Sequence, residues 1–129
     1  MMMRLLLDTH VAIWVVMDPK KIPQHIRRLM SRPDSEVLVS VVSLWEIAIK
    51  FSRRGHMPFS GEIARHEFEA AGLQLLNVSA EHAVAVDGLA MAHGDPFDRL
   101  ILAQALSEGI RLLTHDAALA GYSDSIITW

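Results

Sequence analysis

The chain contains no cysteine. A disulfide framework and a thiolate metal site are both excluded, and a reducing cytoplasm is compatible with it. Basic charge is also scarce: 12 lysines and arginines stand against 15 aspartates and glutamates, for a formal net charge of −3. That balance argues against a surface coated in basic residues for nonspecific nucleic-acid binding, although it leaves room for a local basic patch. A membrane span needs about 20 largely apolar residues. The opening stretch MMMRLLLDTHVAIWVVMD comes nearest, but Asp8 and His10 interrupt it and no small-residue cleavage site follows. A soluble, whole, cytoplasmic chain with no membrane association is expected. Repeats, low-complexity tracts and linkers are missing too. The 129 residues that are present, 51% apolar and 21% charged, suit one domain spanning 1–129.

Short apolar runs alternate with helical periodicity. RLLL (4–7) suits a buried strand ending at Asp8, and VAIWVV opens a helix that stops before Asp18-Pro19. Ile22, Ile26, Leu29 and Met30 fall at i, i+4, i+7 and i+8, which predicts an amphipathic helix with His25, Arg27 and Arg28 off its apolar face. EVLVS (36–40) is a strand, and Leu44, Ile47, Ala48 and Phe51 mark a helix running to about Arg54. A helix over 60–71, Gly72, the strand LQLLNV and a helix from a Ser79 cap to about Ala90 follow. From Pro96 to Ser107 the apolar positions wrap most of the helical circumference, predicting a central buried helix. IRLLT (110–114) and DSIITW supply the last two strands. Such alternation points to right-handed βαβ units: an α/β fold with a parallel sheet between helical layers and a site beyond the carboxyl ends of its strands.

Several carboxylates map to that edge. Asp8 directly follows the first strand, Glu46 lies one turn into the helix after the second, and Asp116 closely follows RLLT. Asp98, one turn into the buried helix, joins them if that helix starts at the same edge. Each has a structural explanation as well. Asp8 with Thr9, Asp95 before Pro96, and Asp116 before AALAGY are all good helix caps. Glu46 can complete a capping box with Ser43 and pair with Lys50 at i, i+4. Asp98 can face the helix dipole. Capping does not explain convergence, because four carboxylates in one crevice repel and raise one another's proton affinity. A divalent cation removes that cost, and all-oxygen ligands suit Mg²⁺ or Mn²⁺.

LLLDTH, SLWEIAIK, DPFDRLILAQA and LLTHD, in this order, resemble the toxin (VapC) branch of the PIN-domain nucleases. The likeness spans residues 4 to 116, and DPFDRLILAQA is its most specific part. The resemblance implies a three-layer α/β/α sandwich, a metal-dependent endoribonuclease that cleaves RNA with water activated by Mg²⁺ or Mn²⁺, and a VapB-like antitoxin that blocks it. Position by position, Asp8, Glu46, Asp98 and Asp116 match the family's acidic quartet, and Thr114 the polar residue before the last acid. Asp95 is then the cap beside them. A homodimer is expected on the same resemblance and on the high apolar content.

Other residues have two readings. His10, His93 and His115 flank three of the acids, yet their spacing matches no zinc-enzyme motif. They are neighbours able to touch substrate, or the centre of a histidine-driven ribonuclease. Arg99 can neutralise the acids, contact a phosphate or form a structural ion pair. The basic run KKIPQHIRRLMSR, with Arg53 and Arg54, is a solvated face or, if it borders the crevice, a hold on the RNA backbone. Trp14 and Trp45 read as core or interface residues. A haloacid-dehalogenase-type phosphatase needs an aspartate where His10 stands, and a receiver domain needs a lysine that RLLTHD does not offer. A noncatalytic PIN-like protein-binding module is the remaining alternative.

Overall fold

The computed structural model describes residues 2–53, 55–89 and 94–129. Five strands, β1 (Met3–Leu7), β2 (Ser35–Ser40), β3 (Gln74–Leu76), β4 (Arg111–Thr114) and β5 (Ile127–Thr128), form one parallel sheet in the order β3-β2-β1-β4-β5. Seven helices connect them: α1 (Thr9–Met17), α2 (Gln24–Met30), α3 (Val41–Ser52), α4 (Gly61–Ala70), α5 (Ala80–Ala85), α6 (Pro96–Glu108) and α7 (Ala117–Ala120).

The strands are apolar on both faces, and alternation sends successive side chains into opposite layers. Leu5, Leu7, Val39 and Leu113 pack with Val11 and Ala12 of α1, Ile26 of α2 and Phe68 of α4. Leu6, Leu38 and Leu112 pack with Ile101, Leu102 and Ala105 of α6 and Leu119 of α7. Helix α3 feeds both layers, Ile47 to the first and Val42 to the second. These two cores make the expected three-layer sandwich.

Several boundaries differ from expectation. Pro19 opens a 3-10 turn over residues 19–21, and α2 begins only at Gln24, because Pro23 lacks the N–H that a helix interior needs and stands at the cap position. Helix α3 starts directly after β2 and its last helical residue is Ser52; Arg54 lies outside the described residues. The α5 segment narrows to a 3-10 turn at Val86–Gly88, and its expected end at Ala90 is also outside them. Helix α6 is not buried all round: Leu106 is 38% exposed, since α6 covers one face of the sheet and turns its far side to solvent. It stops where Gly109 adopts φ 66°, a left-handed conformation that glycine takes without a Cβ penalty.

Topology positions the site. From β1 the chain steps outward to β2 and β3, then crosses back to place β4 on the other side of β1. The connections from β1 and β4 therefore leave in opposite directions, and a crevice opens between the carboxyl ends of these two strands.

Candidate active site

Asp8 stands at that switch point. Its backbone N–H donates to the Leu113 carbonyl at 3.0 Å, carrying the β1–β4 pairing one residue past β1. Its Oδ1 accepts from Val11 N at 2.9 Å, capping α1, and its Oδ2 accepts from the Thr114 hydroxyl. Thr114 in turn accepts from Asp116 N at 3.0 Å, while Asp116 Oδ1 caps α7 through Ala118 N, also at 3.0 Å. One buried threonine thus links the acids that follow two adjacent strands. Burial pushes the Asp8 carboxyl above its ordinary pKa; the bonds from Thr114 and Val11 work against that rise, and the charge of Asp98 adds to it.

Glu46 enters from α3. Ser40 ends β2, caps Val42 N at 3.0 Å and donates to Gln104 Oε1 of α6 at 2.5 Å. The Ser43 and Thr9 hydroxyls share a 2.8 Å bond between α3 and α1. The N-termini of α1 and α3 are thereby pinned together beside the crevice, and the start of α3 is tied to the middle of α6. The expected Ser43–Glu46 capping box does not form, because the helix begins at Val41 and Ser40 is the cap. Glu46 is 2% exposed. Its Oε2 accepts from Lys50 Nζ at 2.5 Å, as the i, i+4 spacing predicts, and Oε1 is buried without a hydrogen-bond partner among the described residues. Partial burial disfavours the Lys50 ammonium, but Glu46, Asp95 and Asp98 together outweigh it and hold its pKa above the ordinary lysine value.

At the start of α6 the two aspartates divide as their positions suggest. Asp95 Oδ1 accepts from Phe97 N at 2.8 Å and Asp98 N at 3.2 Å, so Asp95 is the cap and Pro96 the first helical residue. Asp98, half-buried in the first turn, lies close enough for its charge to act on both Asp8 and Lys50. Arg99 is half-buried at the next position.

Asp8 and Asp116 also line a pocket of about 210 Å³ with His10, Trp14 and His115. His115 lies edge-on to Trp14, with ring centroids 5.6 Å apart, and is stacked on Trp129 at 5.4 Å. His93 lies outside the described residues. The basic residues of α2 do not border this crevice. Its last turn leads within a few residues to the amino end of β2, which puts Arg27 and Arg28 at the opposite edge of the parallel sheet. Two participants escaped the sequence reading. Lys50 had been visible only as a partner of Glu46, and Trp129 carried no local signal because its ring partners are remote in the chain.

The donor set fits a hard divalent cation. All the acids offer oxygen, Glu46 Oε1 is a buried acceptor in want of a partner, and Asp8 is taxed by burial and by Asp98. Among the described residues no three histidine or acidic side chains converge as a closed cage.

Comparison with known proteins places this architecture in a class. The PIN-domain family model matches residues 5–124, and the chain belongs to that family. Ribonuclease VapC22 of Mycobacterium tuberculosis is 30% identical over 94% of this chain and 93% of its own length. Among solved structures, VapBC2 from Rickettsia felis bound to a promoter DNA fragment superposes with a TM-score of 0.67 at 16% identity, covering 98% of both chains. DNA-bound VapBC from Salmonella typhimurium gives 0.66 at 20% identity, over 99% of this chain and 98% of the other.

Proposed function

We propose that this chain is the toxin of a type II toxin–antitoxin pair, a metal-dependent endoribonuclease held inactive by a VapB-like antitoxin. Its relation to a VapC ribonuclease along nearly its whole length supports this reading, as do structural neighbours that are VapBC complexes. The observation that carries it is the pair of acids joined through Thr114 at the switch point, with the open oxygen of Glu46 on an adjoining helix. A noncatalytic scaffold has no use for buried carboxylates that repel one another.

Asp8, Glu46, Asp98 and Asp116 are the residues that would hold the cation, Mg²⁺ in this reading, with Mn²⁺ able to substitute. When bound, a divalent ion neutralises the carboxylates, stabilises charge on phosphate oxygens and makes water a better nucleophile near neutral pH. The chain supplies the arrangement. The α1 cap and Thr114 fix both oxygens of Asp8 while leaving lone pairs to spare. Lys50 holds Glu46 by one oxygen and presents the other. Arg99, next to Asp98, is placed to offset negative charge in the crevice. The cytoplasm, where RNA is met, is the compartment assigned; among the described residues no helix is long and apolar enough to cross a membrane.

Incubation of the purified chain with total RNA tests the reading. Cleavage that requires Mg²⁺, stops with EDTA, leaves 5′-phosphate and 3′-hydroxyl ends and is lost in Asp98→Asn is the expected result. EDTA-resistant cleavage to 2′,3′-cyclic ends would transfer the chemistry to His10, His93 and His115.

A further inference from the structure

The pocket shared by Asp8 and Asp116 is walled on its other side by aromatic rings: His10, Trp14 and His115 complete its lining. Among the described residues no lysine or arginine lines it, so positive charge for an RNA backbone comes from beside the pocket and not from its lining. Much of the binding energy inside the pocket then has to come from the cation or from groups that do not depend on charge. The rings supply the second. Trp129 stacks on one face of His115 at 5.4 Å with 30° between the planes, yet His115 remains exposed. Trp14 stands edge-on at 5.6 Å, making a corner, and Trp129 lies 6.3 Å from Trp14, bracing both. The ammonium of Lys21 lies 5.6 Å from the centre of the Trp14 ring and brings a positive charge to the flank of the cluster.

We propose that His115, cornered by Trp14 and backed by Trp129, is a stacking platform for one unpaired nucleobase of the RNA, next to the phosphate held at the acids. An extended Trp129–His115–base stack needs a flat partner on the free side of the imidazole, and every nucleobase has such a face whatever its sequence. The pocket admits a base only if it is unpaired, so the platform selects single-stranded RNA or a loop over a duplex. In this assignment His115 binds and does not move a proton; Trp129 is a positioning residue that orients the imidazole. The inference rests on the ribonuclease reading for the identity of the ligand, but its test does not depend on cleavage.

Two measurements decide it. In EDTA, oligoadenylate should quench tryptophan fluorescence of the full chain, and an abasic ribose-phosphate oligomer of the same length should not. His115→Ala should remove most of the quenching and His115→Phe, which keeps a flat ring, should restore it. In Mg²⁺, His115→Ala should raise KM for single-stranded RNA by about tenfold, in keeping with the loss of one stacked base, with kcat little changed. His115→Phe should return KM toward the wild-type value. Equal quenching by the abasic oligomer, or an unchanged KM in His115→Ala, overturns the platform. A kcat abolished equally in the Ala and Phe variants also overturns it, because an aromatic ring cannot replace a proton carrier. Base-dependent quenching in a chain that cleaves no RNA would leave the platform standing and remove the ribonuclease reading instead.

Discussion

At the scale of single residues, Asp8 carries a cost to folding stability that the proposed cation would relieve. Asp8 is 8% exposed and its pKa is raised chiefly by burial. A carboxyl whose folded pKa exceeds its unfolded value binds its proton more tightly in the native state. Stability then falls as pH rises from the unfolded value of about 4 through the folded one, and the deficit persists at neutral pH. Asp8→Asn keeps an amide oxygen for the α1 cap and removes the charge. In EDTA at pH 7 we expect it to melt higher than the wild type, at about 4 °C for each kcal/mol recovered in a domain of this length. The advantage should shrink as the pH is lowered toward 4, and scanning calorimetry across that range checks the sign. Lys50 gives the complementary case. Lys50→Met strands the buried Glu46 carboxylate, and because Lys50 is itself partly exposed the expected loss in EDTA is about 1–2 kcal/mol, well below that of a fully buried pair. Mg²⁺ should recover part of it. Thermal melts in which Mg²⁺ stabilises Lys50→Met no more than wild type would remove Glu46 from the cation site.

At the scale of elements, the recurring device is a helix that begins at the carboxyl end of the sheet with an acid as its cap. Asp8 opens α1, Asp116 opens α7 and Asp95 opens α6. One oxygen satisfies orphan N–H groups while the helix dipole stabilises the charge, so in the proposed function a capping carboxylate would serve the cation as well. In that proposal Asp95 and Asp98 separate the two roles. Asp95→Asn should unfold within a few tenths of a kcal/mol of wild type, and Asp95→Ala should lose about 1 kcal/mol because Phe97 N and Asp98 N lose their acceptor. Asp98→Asn should retain the fold and bind Mn²⁺ far more weakly in isothermal titration. A larger stability loss for Asp98→Asn than for Asp95→Ala would reverse the assignment.

At the scale of the molecule, both faces of the sheet are covered, yet large apolar side chains remain outside. Trp45 is 55% exposed and Phe51 43% on α3, and Ile63 is 51% exposed on neighbouring α4. Apolar surface on adjacent helices of a small sandwich favours association. We expect a homodimer, seen by light scattering as twice the chain mass at micromolar concentration, and Trp45→Glu to shift it toward monomer without altering the circular dichroism of the fold. A clean monomer at high micromolar concentration for the wild type would refute the dimer.

The sequence by itself determined the elements and the chemistry available to them. Alternating short apolar runs and helical periods specify a parallel sheet, because strands apolar on both faces require a helical layer on each. Acids placed one residue after β1 and two after β4 must lie at the carboxyl edge whatever the strand order. Tertiary structure decided what converges. Asp8 and Thr114 are 106 positions apart and meet only because the chain crosses back after β3 to set β4 beside β1. The same crossing joins Trp14, His115 and Trp129, whereas Arg27 and Arg28, just before the amino end of β2, do not border the crevice, so the solvated-face reading of that run applies. The reach of Lys50 toward Asp95 and Asp98 depends on how α3 and α6 are rotated against each other. Periodicity is local and can be read along the chain, whereas strand order and helix rotation are set by packing between remote segments.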